Sequence, residues 1–179
     1  HTFYECSNLR LVVIGSNVKK IDQYAFANCD KLTHVVFCGK APQFGERVFY
    51  GVTATAYYKS DISWTKDIMQ DYGGTITWGL YADFGTCGEN VNWILTTDGI
   101  LTVFGIGAMT DYATVNGSPW HSYQDDIQKI VIEDGVTNIG SYVFYNCTNL
   151  TSIIIPNSVT RIGESTFYNC TGLRYVLYT

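Results

Sequence analysis

Charge is what this sequence has least of. Charged residues fill 15% of its 179 positions, where about 25% is usual for a soluble domain. Lys and Arg number 11 against 16 Asp and Glu, a formal charge of -5, and Lys19-Lys20 is the only adjacent basic pair. A phosphate-binding face needs clustered cations, so no nucleic-acid partner is expected. No stretch approaches the roughly 18 apolar residues of a membrane-spanning helix, so membrane insertion is not expected either, and no secretory leader is visible. Also missing is any Cys-x-x-Cys pair of the kind tetrahedral zinc sites favour. Gly105-Ile-Gly107-Ala-Met109 starts like a dinucleotide fingerprint but lacks the third glycine and a following helix; it reads as a turn. What is present is 46% hydrophobic residues and 14 Tyr. That is enough for one or two domains with real cores, under a surface of Ser, Thr, Asn and Tyr.

The chain repeats itself. Phe144-Tyr-Asn-Cys147-Thr-Asn-Leu150 returns as Phe167-Tyr-Asn-Cys170-Thr-Gly-Leu173, and Phe3-Tyr-Glu-Cys6-Ser-Asn-Leu9 returns as Phe26-Ala-Asn-Cys29-Asp-Lys-Leu32. The period is 23, from Phe144 to Phe167 as from Phe3 to Phe26, and Phe49, Val136/Val159 and Ile139/Ile162 keep it. Within a period, Leu150, Ile153 and Ile155 read as a short strand facing inward, which Pro156 ends because proline cannot donate to a ladder. Equivalent strands are expected at Arg10–Ile14, Thr33–Phe37, Gln128–Ile132, Thr151–Ile155 and Arg174–Tyr178. One such coil buries too little to offset its ordering entropy. Stacked coils pair their strands, in parallel, and cover both faces of each layer. Because His1–Cys6 already lies inside a repeat, the chain is expected to be a piece of a longer protein.

This ladder of Leu, Ile, Phe and Cys resembles the BspA-like, or treponemal-type, leucine-rich repeat family over nearly the whole chain. The expected fold is α/β: a horseshoe-like leucine-rich-repeat solenoid with a parallel β-sheet, a strand–helix–strand closing unit and a β-hairpin cap. Residues 1–80 are read as the C-terminal part of a first stack. Its closing unit runs through strand Thr53–Tyr58, a helix capped by Ser60-Asp61 with Trp64, Ile68 and Tyr72 on one face, and strand Thr75–Trp78. Residues 81–179 are read as a hairpin cap (81–126), turning at Asp98-Gly99 between Val91–Leu95 and Ile100–Phe104, and the start of a second stack (127–179). Trp93, Phe104 and Trp120 suit a cover for its first apolar layer. The run from Cys87 to Trp93, with Pro119-Trp-His-Ser-Tyr123, also resembles the lead-in to such repeats in bacterial surface proteins.

No constellation argues for catalysis. Cys6, Cys29, Cys147 and Cys170 share one repeat position and read as buried small hydrophobes. Cys147 and Cys170 fall within the spacing a disulfide tolerates, so oxidation stays open to a thiol titration of unfolded protein. Cys29, His34 and Cys38 do not converge as metal ligands, since the strand register sends Cys29 and His34 to opposite faces. No single thiol is marked as activated beside His34 or His121. Asp125-Asp126 reads as a turn, and the sequons at Asn116, Asn146, Asn149 and Asn169 follow from composition. No cofactor or metal is expected.

The candidate partner-binding face is the outward side of the repeat strands: Leu11/Val13, His34/Val36, Lys129/Val131, Ser152/Ile154 and Tyr175/Leu177. The second member is apolar in every pair, giving a constant strip for affinity beside a variable one for selectivity. The alternative is that β-branched residues favour strands wherever they point. The family resemblance implies a secreted or cell-surface bacterial protein that mediates adhesion or protein–protein interaction, with a protein or host-surface glycan as ligand. A structural spacer, or a targeting appendage of a larger surface enzyme, is the alternative.

Overall fold

A computed structural model describes all 179 residues. They form two compact units, His1–Tyr81 and Ala82–Thr179.

In unit 1, β1 (Leu11–Ile14), β3 (His34–Phe37), β5 (Thr53–Tyr58) and the first half of β6 (Thr75–Thr86) pair in parallel in that order. Two shorter strands, β2 (Lys20–Ile21) and β4 (Gln43–Phe44), pair on a second side of the coil. In unit 2, β7 (Val91–Thr96) and β8 (Ile100–Gly105) form an antiparallel hairpin. From β8 the sheet continues in parallel through β10 (Lys129–Ile132), β12 (Ser152–Ile155) and β14 (Tyr175–Tyr178). The second side there holds β9 (Gly107–Ala108), β11 (Val136–Ile139) and β13 (Arg161–Ile162).

Register follows the repeat. Leu11 pairs with His34, and Lys129 pairs with Ser152, which pairs with Tyr175, each one full period on. Alternation then sends Ile130, Ile132, Ile153 and Ile155 into the core of unit 2, all buried. Val35, Phe37 and Ala56 do the same in unit 1. The third side of each coil is turns, and it carries the aromatic column. Phe3, Phe26 and Phe49 stack at 5.3 and 5.9 Å, and Trp120, Phe144 and Phe167 at 5.5 Å each. Trp120 fills the place before the first Phe of unit 2, fully buried, its indole N–H donating to the Val143 carbonyl at 2.8 Å.

Paired left-handed residues shape this turn side. Tyr24, Arg47, Tyr142 and Ser165 take one place in the coil, and Glu5, Asn28, Asn146 and Asn169 the other, with φ from 50° to 61°. Asparagine tolerates that conformation better than most residues, which accounts for Asn before Cys in three of the four.

The helix expected after Ser60 does not form. The only helical piece is a 3-10 turn at His121–Tyr123, so the architecture is all-β. Between β5 and β6 the amides mostly make short turn bonds, Trp64 N–H to Asp61 and Ile68 N–H to Thr65, with one i→i-4 bond from Met69. The Tyr72 carbonyl instead accepts from Phe49 N–H at 3.1 Å, as Val48 accepts from Phe26 and Ala25 from Phe3. Neighbouring coils thus claim the polar groups that a helix would use internally. Thr53 pairs with Thr75, close to one period on: the presumed crossover is one more coil. Its Trp64, Ile68 and Tyr72 still drop onto the core. Trp64 packs edge-on against Phe37 at 4.9 Å, and Tyr72 stacks on Phe44 at 4.4 Å.

Candidate functional site

The outward sheet positions align into two columns per unit. In unit 2 one runs Ile100, Lys129, Ser152, Tyr175 and the other Thr102, Val131, Ile154, Leu177. Lys129, Val131, Ser152 and Ile154 are half-buried, while Tyr175 and Leu177 are exposed. In-register pairing brings all six named residues of this unit together on one face. Thr102 extends the second column into the hairpin, where no repeat period marks it.

Unit 1 behaves differently. Its columns run Leu11, His34, Thr55, Thr77 and Val13, Val36, Tyr57, Gly79. Val13 is exposed, but His34 and Val36 retain only 3% and 1% of their surface. The His34 ring stacks on Tyr57 at 5.9 Å with planes 4° apart, and His34 Nδ1 lies 2.9 Å from the Thr33 hydroxyl. Tyr57 in turn lies over Gly79, where an added Cβ would come within 3.2 Å of the ring. The Tyr81 hydroxyl donates to the Phe37 carbonyl. The expectation of an open face at His34 and Val36 is therefore corrected: both are buried, and the Tyr57 ring on the next strand lies on His34. His34 pairs with Thr55 rather than with the residue a full period on, and that shortened coil hid the neighbour from a reading based on a strict period.

All six cysteines are free thiols. The thiol of Cys29 donates to the Phe3 carbonyl and that of Cys170 to the Phe144 carbonyl, both at 3.1 Å and both reaching back 26 residues to the preceding coil. Those same carbonyls accept the amides of Cys6 and Cys147 within their own coil. The thiol therefore fills the second acceptor place of a turn carbonyl, tying one coil to the next. Burial raises the Cys29 thiol above its ordinary range and pushes Cys87 to about 12. Cys147 is raised chiefly by its hydrogen bond with Cys170, and Cys170 is lowered by the same contact. Of the pair, the more deeply buried Cys147 thus keeps its proton longer. His121 lies against Gln124, 3.1 Å from its Oε1.

The turn side carries a feature the sequence reading passed over. Tyr145 and Tyr168 stack at 5.0 Å, 11° from parallel, and Tyr142 lies 6.1 Å from Tyr145. Beside them Asn169 donates through Nδ2 to Asn146 Oδ1 at 2.9 Å. The Phe-Tyr-Asn-Cys recurrence was the available signal.

Comparison with known proteins agrees with the coil geometry. The BspA type leucine-rich repeat region matches in six copies over residues 1–62 and 120–178. A leucine-rich repeat protein from Eubacterium ventriosum is 32% identical over 54% of this chain, with a TM-score of 0.52, and the match spans 26% of that protein. A leucine-rich cell surface protein from Faecalibacterium prausnitzii aligns at 16% identity over 99% of this chain and 62% of its own, with a TM-score of 0.24. No curated protein matches. The chain thus spans about a quarter of the first structure's length and under two thirds of the second's. With the family's repeat covering most of the sequence, and the Phe, Leu and Cys rungs stacked coil on coil, the chain belongs to the BspA-type leucine-rich repeat family.

Proposed function

We propose that this chain is a non-catalytic binding module of a bacterial cell-surface or secreted protein, and that unit 2 grips a protein partner through its outward sheet face. One observation carries the reading: Val131, Ile154 and Leu177 stand in register as an apolar column on the outside of the sheet, where no core requires them. Beside them Lys129, Ser152 and Tyr175 change chemistry from coil to coil. A constant column excludes water and supplies affinity, and a varying one discriminates among partners. The partner best suited presents an apolar strip of its own. Membership of a repeat family supports a binding role, because stacked coils offer broad surfaces while their ladders stay unchanged.

The test is an array of purified extracellular proteins probed with the chain and with Val131→Glu and Ile154→Glu. Each variant should lose about tenfold or more in affinity, roughly 1.4 kcal/mol, while its denaturation midpoint stays near that of the parent. Undiminished binding by the double variant overturns the assignment of the face. A chain that retains nothing specific is a spacer.

A further inference from the structure

We propose that the turn side of unit 2 carries a second recognition site, a tyrosine–asparagine ridge that binds a neutral glycan. The ridge consists of Tyr142, Tyr145 and Tyr168 with Asn146, Ser165 and Asn169. It lies away from the sheet columns, because strand and turn residues occupy different sides of each coil.

Three properties point to this ligand. The first is charge: in a chain of net charge -5, none of the six residues is Asp, Glu, Lys, Arg or His. Arg161, in the same coil as Tyr168, is already paired with Asp111 at 3.2 Å. A charged partner would find little to pair with except Glu164, beside Ser165 in sequence.

The second is chemistry. Phenol rings offer a flat apolar surface for the C–H face of a sugar, and phenol, serine and carboxamide groups offer both donors and acceptors for its hydroxyls. The bond between Asn169 and Asn146 uses one donor and one acceptor, leaving the Asn146 amide and the Asn169 carbonyl for a ligand. No aliphatic side chain belongs to the ridge, so it lacks the greasy pocket that anchors a protein hot spot.

The third is order. Mutual stacking of Tyr145 and Tyr168 holds the rings before any ligand arrives, which lowers the entropy cost of binding. The Tyr-Asn pair recurs in successive coils, and a repeated site fits a polymer of repeated units. Tyr168 and Asn169 are exposed, and Tyr142, Tyr145, Asn146 and Ser165 are half-buried, so each keeps some surface for a ligand. The corresponding side of unit 1 makes a contrast. There Arg47 lies over Tyr50 at 5.8 Å and donates to the Tyr24 hydroxyl at 3.3 Å, and Ala27 interrupts the tyrosines.

The experiment is affinity electrophoresis of the whole chain through gels containing a neutral β-glucan, a mannan or a galactan, alongside an array of neutral and anionic oligosaccharides. At least one neutral polymer should retard the chain. Tyr168→Ala should weaken that interaction about tenfold, Tyr168→Phe by less because the ring remains, and Ile154→Glu not at all. The proposal is overturned if no neutral glycan is bound, if binding is confined to anionic glycans, if Tyr168→Ala binds like the parent, or if these tyrosines prove to serve a protein partner instead. Because Ile154→Glu tests the sheet face alone, failure of either surface is read separately.

Discussion

Units 1 and 2 are built on the same kind of ladder, and each covers an end of its own with different materials. In unit 1 the last coils close over an aromatic box. Phe37 meets Trp64 and Trp78 at 4.9 and 5.8 Å, Tyr58 meets Trp64 at 5.4 Å, and Tyr72 lies on Phe44. In unit 2 the first layer is covered by a hairpin and by a pair of indoles, Trp93 against Trp120 at 5.6 Å. The apolar face of an end coil must be hidden from water, and side-chain mass can do this without a helix. What differs is how the covering groups are satisfied. Trp64 and Trp120 both donate to carbonyls, of Gly39 and Val143, whereas the Trp93 indole N–H is buried against Gly85 without a partner.

The sharpest way to break this comparison is to remove each cover. Trp120→Ala should cost about 3–5 kcal/mol, because a wholly buried ring leaves a cavity between Trp93 and Phe144. Trp64→Ala should fall at the low end of that range, about 3 kcal/mol, since Trp64 keeps 7% of its surface where Trp120 keeps none. Denaturant titration of both variants decides the order, and the reverse ranking would mean that unit 1's box carries more than its packing suggests.

Next come the cysteine rungs. Cys170→Ala should cost about 1 kcal/mol through the lost bond to the Phe144 carbonyl, and Cys170→Ser less, because its hydroxyl still donates. Cys29→Ala in unit 1 should cost more than Cys170→Ala, since Cys29 is fully buried and its removal also opens a void. Equal values from thermal melts would show that the hydrogen bond alone matters at both rungs.

The smallest effects belong to two exposed carboxylates. Asp22 in unit 1 is held below the ordinary carboxylate range mainly by the Lys20 ammonium, 2.6 Å away. Asp111 in unit 2 is held below it mainly by the Ser141 backbone N–H, then by the Ser141 side chain and Arg161. A lowered carboxylate stabilises the fold above its unfolded-state pKa, and that contribution fades as pH falls through the lowered value. Melting-temperature differences between the parent and Asp22→Asn or Asp111→Asn should therefore vanish in acid. At neutral pH, molar salt should erase most of the Asp22 difference and leave most of the Asp111 one, because screening acts on exposed ion pairs more than on a backbone hydrogen bond.

Much of this was legible in the residues. Phe144 and Phe167, one period apart, do stack, and the Asp98-Gly99 turn joins two antiparallel strands, with Gly99 at φ 82°. The misreadings share one cause. Trp64, Ile68 and Tyr72 are spaced like a helical face, but spacing reports only which side chains go inward; the backbone partner of Tyr72 lies in another coil. Likewise His34 and Val36 alternate outward as expected, yet both are buried, and Tyr57, which stacks on His34, stands out of period. The hydrogen-bonding role of Cys29 and Cys170 was illegible because each thiol's acceptor lies in the preceding coil, on a turn that only the folded chain defines.

The paired left-handed residues on the turn side make the length of such a molecule a countable quantity. Each coil must bring its chain back at the same angle and height to meet the amides of the next, so a residue inserted or deleted on that side has to be absorbed within its own coil, as the shortened coil leading to Tyr57 does while keeping its strand in register. Adding or removing a whole period disturbs nothing but the two junctions. Genes for proteins built this way can therefore grow and shrink by tandem duplication, changing reach and surface area in whole coils while the interior stays as it was.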